Sequence, residues 1–217
     1  MKLNKAKFQQ QLTEKSLDIG KEETWYFVNA KISQKNRKIL AKFQNEMKAE
    51  FGDAVWCVPK DFLHVTLMDW IAPFGDYEKD REAIFAEIYD SFNKATEEVL
   101  ARYAKIDLCF KGLKIASDAV VALFEDDGSF QKIREDIVSK VCWVRGNKNP
   151  PNIIHSTLVR FAQEIPLREV EKLVSGFKVS FDEVILEFQL GKGIKTGIME
   201  CEIVKKYPLG KIIHPVK

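Results

Sequence analysis

Two of the chain's three histidines begin the same four-residue pattern. The first pattern, HVTL, occupies residues 64–67, and the second, HSTL, occupies residues 155–158. Side chains of a β-strand alternate between its two faces, so the histidine and the threonine of each pattern would point the same way. Each pair would combine a proton-transfer group with a hydrogen-bond donor. Two such pairs facing each other would suit acid–base chemistry on a bound anion.

The elements around the two patterns repeat in the same order. A strand at residues 24–32 and a helix at residues 34–50 precede the strand that contains His64. A strand at residues 119–124, followed by another helix and a loop, precedes the strand that contains His155. This internal repeat predicts two pseudo-symmetric halves, with both histidine strands central and facing one cleft.

The remaining elements also follow from periodicity. Residues 77–103 carry an apolar stripe at helical spacing, which indicates a helix packed on the core. A strand is predicted at residues 106–115, and a helix from Pro166 to Gly176. The C-terminal part alternates, which predicts a hairpin with one solvated face and a last strand at residues 197–204. Its apolar face would hold Val184, Leu186, Phe188 and Leu190, and its polar face Glu183, Glu187 and Gln189.

The composition is that of an ordinary globular protein. Of the 217 residues, 46% are hydrophobic and 30% charged, and 34 Lys and Arg against 32 Asp and Glu leave a net charge of +2. That balance is too even to imply bulk nucleic-acid binding by charge alone. We expect one domain over residues 1–217, in which residues 1–23 form an arm or a short helix.

The cysteines and the hydropathy pattern bear on cellular location. The polar N-terminus lacks the apolar stretch of a signal peptide, and no run of about 18 apolar residues predicts a membrane span. The cysteines form no CxxC pair, which is typical of reduced thiols, so a cytoplasmic protein is expected. They are Cys57, Cys109, Cys142 and Cys201.

The paired His-x-Ser/Thr-hydrophobic patterns resemble the signature of the two-histidine phosphoesterase superfamily, which includes LigT-like 2′-5′ RNA ligases and cyclic nucleotide phosphodiesterases. The resemblance in element order spans about residues 24–206. It implies a bilobal α/β (α+β) fold, in which two sheets with antiparallel strands flank a central cleft and four helices lie outside. It also implies cleavage of a phosphodiester without a metal or another cofactor. The implied catalytic residues are His64, Thr66, His155 and Thr157.

Such a site could open a cyclic phosphate or a 2′-linked phosphodiester of a nucleotide or RNA end. Water attacks phosphorus in line with the departing oxygen, so one group takes a proton while another gives one. Histidine, with an ordinary pKa of about 6.5, can do either near neutral pH. Thr66 and Thr157 would hydrogen-bond the non-bridging oxygens, where charge grows in the transition state. The sequence leaves open which histidine is the base and which the acid.

Two aromatic residues are candidates for binding the substrate. Trp70 and Phe161 each lie six residues after a motif histidine. On an unbroken strand they would share the histidine face, where a nucleobase could stack on them. Alternatively, they close the core at the ends of the strands.

Charged residues near the motifs are further candidates. Arg160, at an odd offset from His155, would reach an anion only if the strand ended or bulged first. The odd offset of Asp69 from His64 predicts the opposite face of the strand. Arg145, which shares the loop before the second motif with Lys148, could bind phosphate or be an ordinary solvated side chain. His214, in the basic tail, is expected at the surface.

Other readings of the motifs remain open. The two histidines could be purely structural, or the protein could hold a nucleotide or RNA end without turning it over. A zinc site would need three or four ligands, and no Cys, Asp or Glu stands beside these histidines at ligand spacing. The expected partner is a nucleotide or RNA-end phosphodiester, without a membrane or a metal, and the oligomeric state is left open.

Overall fold

A computed structural model describes residues 22–73, 75–116, 118–147, 150–195 and 200–210. Predictions for residues 1–21, Ser117, Lys148, the start of the last strand and His214 lie outside these ranges. In chain order the elements are β1 (Glu22–Lys31), α1 (Gln34–Phe51), β2 (Val55–Cys57), β3 (His64–Ile71), α2 (Arg81–Leu100), β4 (Ile106–Ile115), β5 (Ala119–Glu125), α3 (Ser129–Val138), β6 (Ile154–Phe161), α4 (Leu167–Gly176), β7 (Asp182–Ile185), β8 (Glu187–Lys195) and β9 (Glu200–Pro208).

The strands form two antiparallel sheets with matching layouts. The first sheet has the order β3-β1-β8-β9, and the second has the order β2-β6-β5-β4-β7. Each motif strand pairs with the strand that opens its half, so β3 lies beside β1 and β6 lies beside β5. If β2 is left out, the two orders correspond strand by strand: β3 to β6, β1 to β5, β8 to β4 and β9 to β7. The expected mixed fold with two pseudo-symmetric halves is therefore confirmed.

The helix in the middle of each half packs on the sheet of the other half. Helix α1 follows β1, yet its Phe43 meets Phe177, at the end of α4, in a layer on the second sheet, with ring centroids 5.5 Å apart. Helix α3 follows β5, yet its Phe130 packs on Phe188 of the first sheet, with centroids 5.8 Å apart. Consequently neither half buries its own apolar surface alone, and the core is shared.

Helix α2 covers the first sheet. Asp80 caps its first turn by accepting hydrogen bonds from the backbone N–H groups of Glu82 and Ala83, so the helix begins four residues later than the apolar stripe predicts. Phe92 of this helix packs edge-on against Trp70 of β3, with centroids 5.4 Å apart. Within the described residues no helix is long and apolar enough to cross a membrane.

The predicted alternation near the C-terminus is wrong in its first part. Val184 and Leu186 are 47% and 61% exposed, whereas Glu183 is only 3% exposed. The chain leaves the second sheet after β7 and enters the first at β8, so one alternating pattern does not run through both strands. The Glu183 carboxylate instead accepts hydrogen bonds from the Ser33 backbone and hydroxyl, at 3.0 and 2.9 Å, where α1 begins. The antiparallel pairing of β8 with β9 agrees with the predicted hairpin.

The position of β3 also differs from the prediction. It is the outer strand of the first sheet, not a central one, whereas β6 lies inside the second sheet. The residues before β6 contact β3 in the opposite chain direction. Asn147 hydrogen-bonds the backbone of Trp70 and Ala72 at the end of β3, whereas the carbonyls of Ile153 and Thr66 both accept from Arg134. The two motif strands therefore lie side by side and run in opposite directions.

Candidate active site

A β-bulge follows the first motif. Lys31, Asn29 and Phe27 of β1 pair with His64, Thr66 and Asp69, respectively. Val28 pairs with Met68, so Leu67 is an extra residue between two paired positions. Alternate residues of β1 share one face, and paired residues point the same way. His64, Thr66 and Asp69 therefore lie on one face of the first sheet.

The second motif strand has the same bulge at the equivalent residue. Leu123, Val121 and Ala119 of β5 pair with His155, Thr157 and Arg160, and Leu158 is the extra residue. Arg160 was expected to share the histidine face only if its strand ended or bulged first, and the bulge at Leu158 meets that condition. In both strands the residue five positions after the histidine turns to the histidine face.

Two buried polar side chains hold the bulges, each from the helix of the opposite half. Gln44 of α1 donates hydrogen bonds from its amide to the carbonyls of Leu158 and Val58, at 2.8 and 2.7 Å. Arg134 of α3 donates from Nε to the carbonyl of Leu67, at 2.7 Å. The carbonyl of Leu158 also accepts a hydrogen bond from the backbone N–H of Val58, at 2.9 Å, so Gln44 adds a second donor to this bulge. Gln44 and Arg134 thus perform equivalent roles in the two halves.

Arg134 also links the two motif strands directly. Its Nη2 atom donates to the carbonyls of Thr66, at 3.0 Å, and Ile153, at 3.2 Å. The guanidinium lies over the Phe130 ring, 4.7 Å from its centroid. Arg134 is 2% exposed, and burial lowers the pKa of its guanidinium to about 10. One side chain therefore fixes the start of β6 against the bulge of β3.

Both motif histidines are anchored by the carbonyl two residues earlier. The Nδ1 atom of His64 lies 2.6 Å from the carbonyl oxygen of Phe62, and the His155 ring hydrogen-bonds the carbonyl of Ile153. A carbonyl oxygen only accepts, so Nδ1 of His64 carries the proton. Nε2 of the neutral His64 ring is then the basic nitrogen.

Burial and neighbouring cations keep both histidines neutral. Burial, and then the charge of His155, lower the pKa of His64 to about 4, against the partial opposition of the Phe62 hydrogen bond. The pKa of His155 is lowered by burial and by the positive charges of Arg134 and Arg160. The Phe27 ring contributes to this burial, since its centroid lies 5.8 Å from that of His64. At neutral pH either ring can therefore accept a proton.

Two ionisable side chains, Arg160 and Asp69, lie on the histidine face, each five residues after its motif histidine. Arg160 forms an ion pair with Asp118, with Nη1 and Oδ2 2.8 Å apart. Burial raises the pKa of the Asp69 carboxyl to about 7. The expectation that Asp69 points to the opposite face is wrong, because the bulge at Leu67 shifts the alternation by one residue.

The two aromatic candidates are buried, because the bulges turn them away from the histidine face. Trp70 is 0% exposed and packs against α2, and Phe161 is 1% exposed within the core. Neither is available for stacking on a base, and their alternative role in closing the core fits the structure. The exposed Arg145 side chain pairs with Glu78, with Nη1 and Oε1 3.3 Å apart.

Sequence reasoning missed Gln44 and Arg134, and it misplaced Asp69. The first two lie on helix faces that carry mainly apolar residues, and polarity at such a position was the available signal. For Asp69 the signal was the symmetry itself, because it occupies in the first motif the position that Arg160 occupies in the second. Among the described residues, no cluster of three or more His, Cys, Asp or Glu side chains is arranged to hold a metal ion.

Solved structures share this fold. TT0787 of Thermus thermophilus matches with a TM-score of 0.60 and 16% identity, over 86% of this chain and 98% of TT0787. Escherichia coli LigT complexed with ATP matches with a TM-score of 0.57 and 18% identity, over 87% of this chain and 99% of LigT. A structure described as a phosphoesterase matches with a TM-score of 0.56 and 16% identity, over 87% and 99% of the two chains.

No protein-family model matches the sequence, and no curated protein sequence matches it either. At such low identity the structural likeness establishes the fold, and the resemblance noted from the motifs is confirmed at that level.

Proposed function

We propose that the chain is a metal-independent phosphodiesterase that cleaves a cyclic phosphate or a 2′-linked phosphodiester of a nucleotide or RNA end. The observation that carries the proposal is the pair of anchored histidines. They lie on adjacent, oppositely directed strands, close enough that the charge of one lowers the pKa of the other. The solved LigT structure that shares this fold contains ATP, which supports a nucleotide substrate for this chain.

In this proposal His64 and His155 transfer the two protons. A neutral imidazole takes a proton from the attacking water, and the other ring, protonated when the anionic substrate binds, gives a proton to the departing oxygen. The phosphodiester's negative charge favours that protonated form, which the free site disfavours. Either histidine can begin as the base, and the roles exchange when the reaction runs in reverse.

The hydroxyl and guanidinium groups on the same face would bind the phosphate. Thr66 and Thr157 each lie two residues after a histidine and would donate hydrogen bonds to the non-bridging oxygens. Arg160 would add a fixed positive charge, because Asp118 already holds one edge of its guanidinium.

All four cysteines of the chain lie among the described residues and are free thiols, which supports a cytosolic location.

The test is turnover in the presence of EDTA. The panel contains 2′,3′-cyclic nucleotides, 3′,5′-cyclic nucleotides, ADP-ribose 1″,2″-cyclic phosphate and 2′-5′-linked oligonucleotides. His64→Ala and His155→Ala are compared with His214→Ala, which removes the histidine outside both motifs. Loss of a general acid or base typically costs 10²–10⁴-fold, so each motif variant should lose about that much of its rate.

The outcomes separate the competing functions. Cleavage of one substrate class by the wild type and by His214→Ala, but by neither motif variant, supports the proposal and identifies the bond that is cleaved. Binding without turnover in every protein would favour a nucleotide-binding role. Activity that survives both motif substitutions would overturn the two-histidine mechanism.

A further inference from the structure

We infer that Asp69 orients the substrate by accepting a hydrogen bond from a ribose hydroxyl or a nucleobase amino group, at the end of the site opposite Arg160. The inference rests on the proposed function, because it concerns the substrate of that same site. It begins from the pseudo-symmetry of the two motif strands.

Pseudo-symmetry alone would leave the two ends of the site chemically alike. Each of β3 and β6 supplies a histidine, a threonine and a bulged leucine. The residues that the two bulges turn toward the histidine face differ, however, because one is Asp69 and the other is Arg160. This pair breaks the symmetry by charge.

The directions of the strands place these two residues at opposite ends. Asp69 lies near the end of β3 that Asn147 contacts through the carbonyl of Trp70, at 2.7 Å. Arg160 lies near the end of β6 that pairs with β2, where its cross-strand partner is Trp56. A phosphate attracted by Arg160 would therefore sit away from the Asp69 carboxylate, which repels it.

The Asp69 carboxyl group is unpartnered among the described residues. It is half-buried, and no described side chain or backbone group donates a hydrogen bond to it or forms an ion pair with it, although burial and, to a lesser extent, the Asp69 charge raise the pKa of the nearby Tyr77 hydroxyl. Its oxygens can therefore accept a hydrogen bond from a ligand hydroxyl or amino group. By contrast, Arg160 has its partner in Asp118.

These observations define the chemical class of the ligand. The substrate should carry its phosphate toward Arg160 and a hydrogen-bond donor toward Asp69, which a nucleotide provides and inorganic phosphate does not. Ribose and nucleobase could each supply the donor, so the experiment includes an analogue that lacks each group.

Calorimetry would measure affinity, independently of turnover, for inorganic phosphate and for the 2′- and 3′-monophosphates of adenosine. The proteins are the wild type, Asp69→Asn, Asp69→Leu, Arg160→Gln and the control Asp107→Asn, which alters an exposed carboxylate of β4. We expect the two Asp69 variants to lose about tenfold in affinity for the tighter-binding nucleotide. Their affinity for phosphate should be unchanged or higher, whereas Arg160→Gln should weaken both ligands and the control neither.

The wild type is also measured with the deoxy counterpart of the tighter nucleotide and with the matching purine riboside monophosphate, which lacks the amino group. Weaker binding of the deoxy analogue assigns the ribose hydroxyl as the donor. Weaker binding of the purine riboside monophosphate assigns the amino group of the base. If neither analogue binds more weakly, the inference is overturned, whether or not the Asp69 variants fold.

The inference and the proposed function can fail separately. Wild-type turnover together with Asp69 variants that bind nucleotide as the wild type does would remove the inference and leave the function standing. Selective loss of nucleotide affinity in a protein without turnover would support the inference for a binding protein. A wild type that binds none of the probes would overturn the inference, and the turnover panel would then decide the function alone.

Discussion

His64 and His155 lose their protons more readily than a free imidazole, and this has a consequence for the dependence of the rate on pH. In the proposed mechanism the site must take up one additional proton, on either ring, before or as the substrate binds. His64 has a pKa of about 4, and the pKa of His155 is below its ordinary value. We therefore expect kcat/KM to be highest below about pH 6.5 and to fall about tenfold per pH unit on the alkaline side.

A pH profile of kcat/KM at constant ionic strength checks this, with the imidazole proton resonances in an NMR titration as an independent measurement. The signs are fixed by burial and by the neighbouring cations, which both disfavour the charged ring. A rate that stays level up to pH 8 would contradict the expectation.

At the same scale, the motif residues were the part of the site most accessible to sequence reasoning. The alternation of a strand requires no tertiary information for positions two apart, so His64 with Thr66 and His155 with Thr157 were paired correctly on one face. At the five-residue offset the same rule failed for Asp69, since the residue inserted at Leu67 inverts the faces of the positions that directly follow it.

The bulge in β6 depends on a side chain from a distant element, so it can be tested by removing that contact. Gln44→Leu has a similar volume but lacks the amide that donates to the carbonyls of Leu158 and Val58. Relaxation of the bulge would move Arg160 from the histidine face, where it is proposed to bind the phosphate. We expect KM to rise about tenfold, equivalent to about 1.4 kcal/mol, with a smaller effect on kcat.

Steady-state kinetics on the substrate identified by the panel would measure this, with Gln131→Leu on the exposed face of α3 as the matched control. An unchanged KM in the Gln44 variant would mean that the ladder hydrogen bonds alone maintain the bulge.

The start of α1 provides a stability test at the scale of the element. Glu183 accepts hydrogen bonds from Ser33 and from the Asn36 side chain, at 2.8–3.0 Å, beside the positive end of the helix dipole. Glu183→Ala removes these contacts: the Ser33 N–H and hydroxyl lose their acceptor, whereas the buried Asn36 amide keeps the carbonyl of Asp182. We expect a loss of about 2 kcal/mol in the free energy of unfolding, which lowers Tm by about 4–8 °C.

Thermal unfolding followed by circular dichroism measures this loss. Glu187→Ala is the control, because Glu187 lies four residues along the chain, is exposed and pairs only at the surface with Lys206. Equal melting temperatures for the two variants would show that the Glu183 contacts add no net stability. The sequence could not predict this role, since a glutamate at the start of an alternating apolar pattern is typical of the solvated face of a strand.

For the whole molecule, Arg134 is the side chain that joins the two sheets at the site. Arg134→Met retains the apolar stem but leaves the carbonyls of Thr66, Leu67 and Ile153 without their donor. We expect the free energy of unfolding to fall by about 2–4 kcal/mol. Because the motif strands are then free to shift relative to each other, kcat should also fall by about 10²-fold.

The comparison is Arg102→Met, which alters an exposed arginine paired with Asp136. Chemical denaturation gives the stability and steady-state kinetics give kcat. A variant that is destabilised yet has wild-type kcat would show that Arg134 serves the fold without positioning the histidines.

At this scale the sequence predicted the architecture well, because the repeat of elements is local information that survives in the chain order. Which helix covers which sheet was not predictable. Phe43 and Phe130 lie on the apolar faces of their helices, but an apolar face does not specify the sheet on which it packs. The same reason explains why β3 was expected inside its sheet.

The exchange of helices between the halves has a consequence for biosynthesis. Strand β1 ends at Lys31, but its neighbour β8 begins only at Glu187, and α1 packs on a sheet encoded almost entirely by later codons. At roughly 5–20 residues per second, a ribosome needs roughly 8–30 s to bridge that interval. A nascent first half therefore leaves the exit tunnel with its apolar helix face uncovered. Chaperones that bind emerging chains should recognise it throughout that interval.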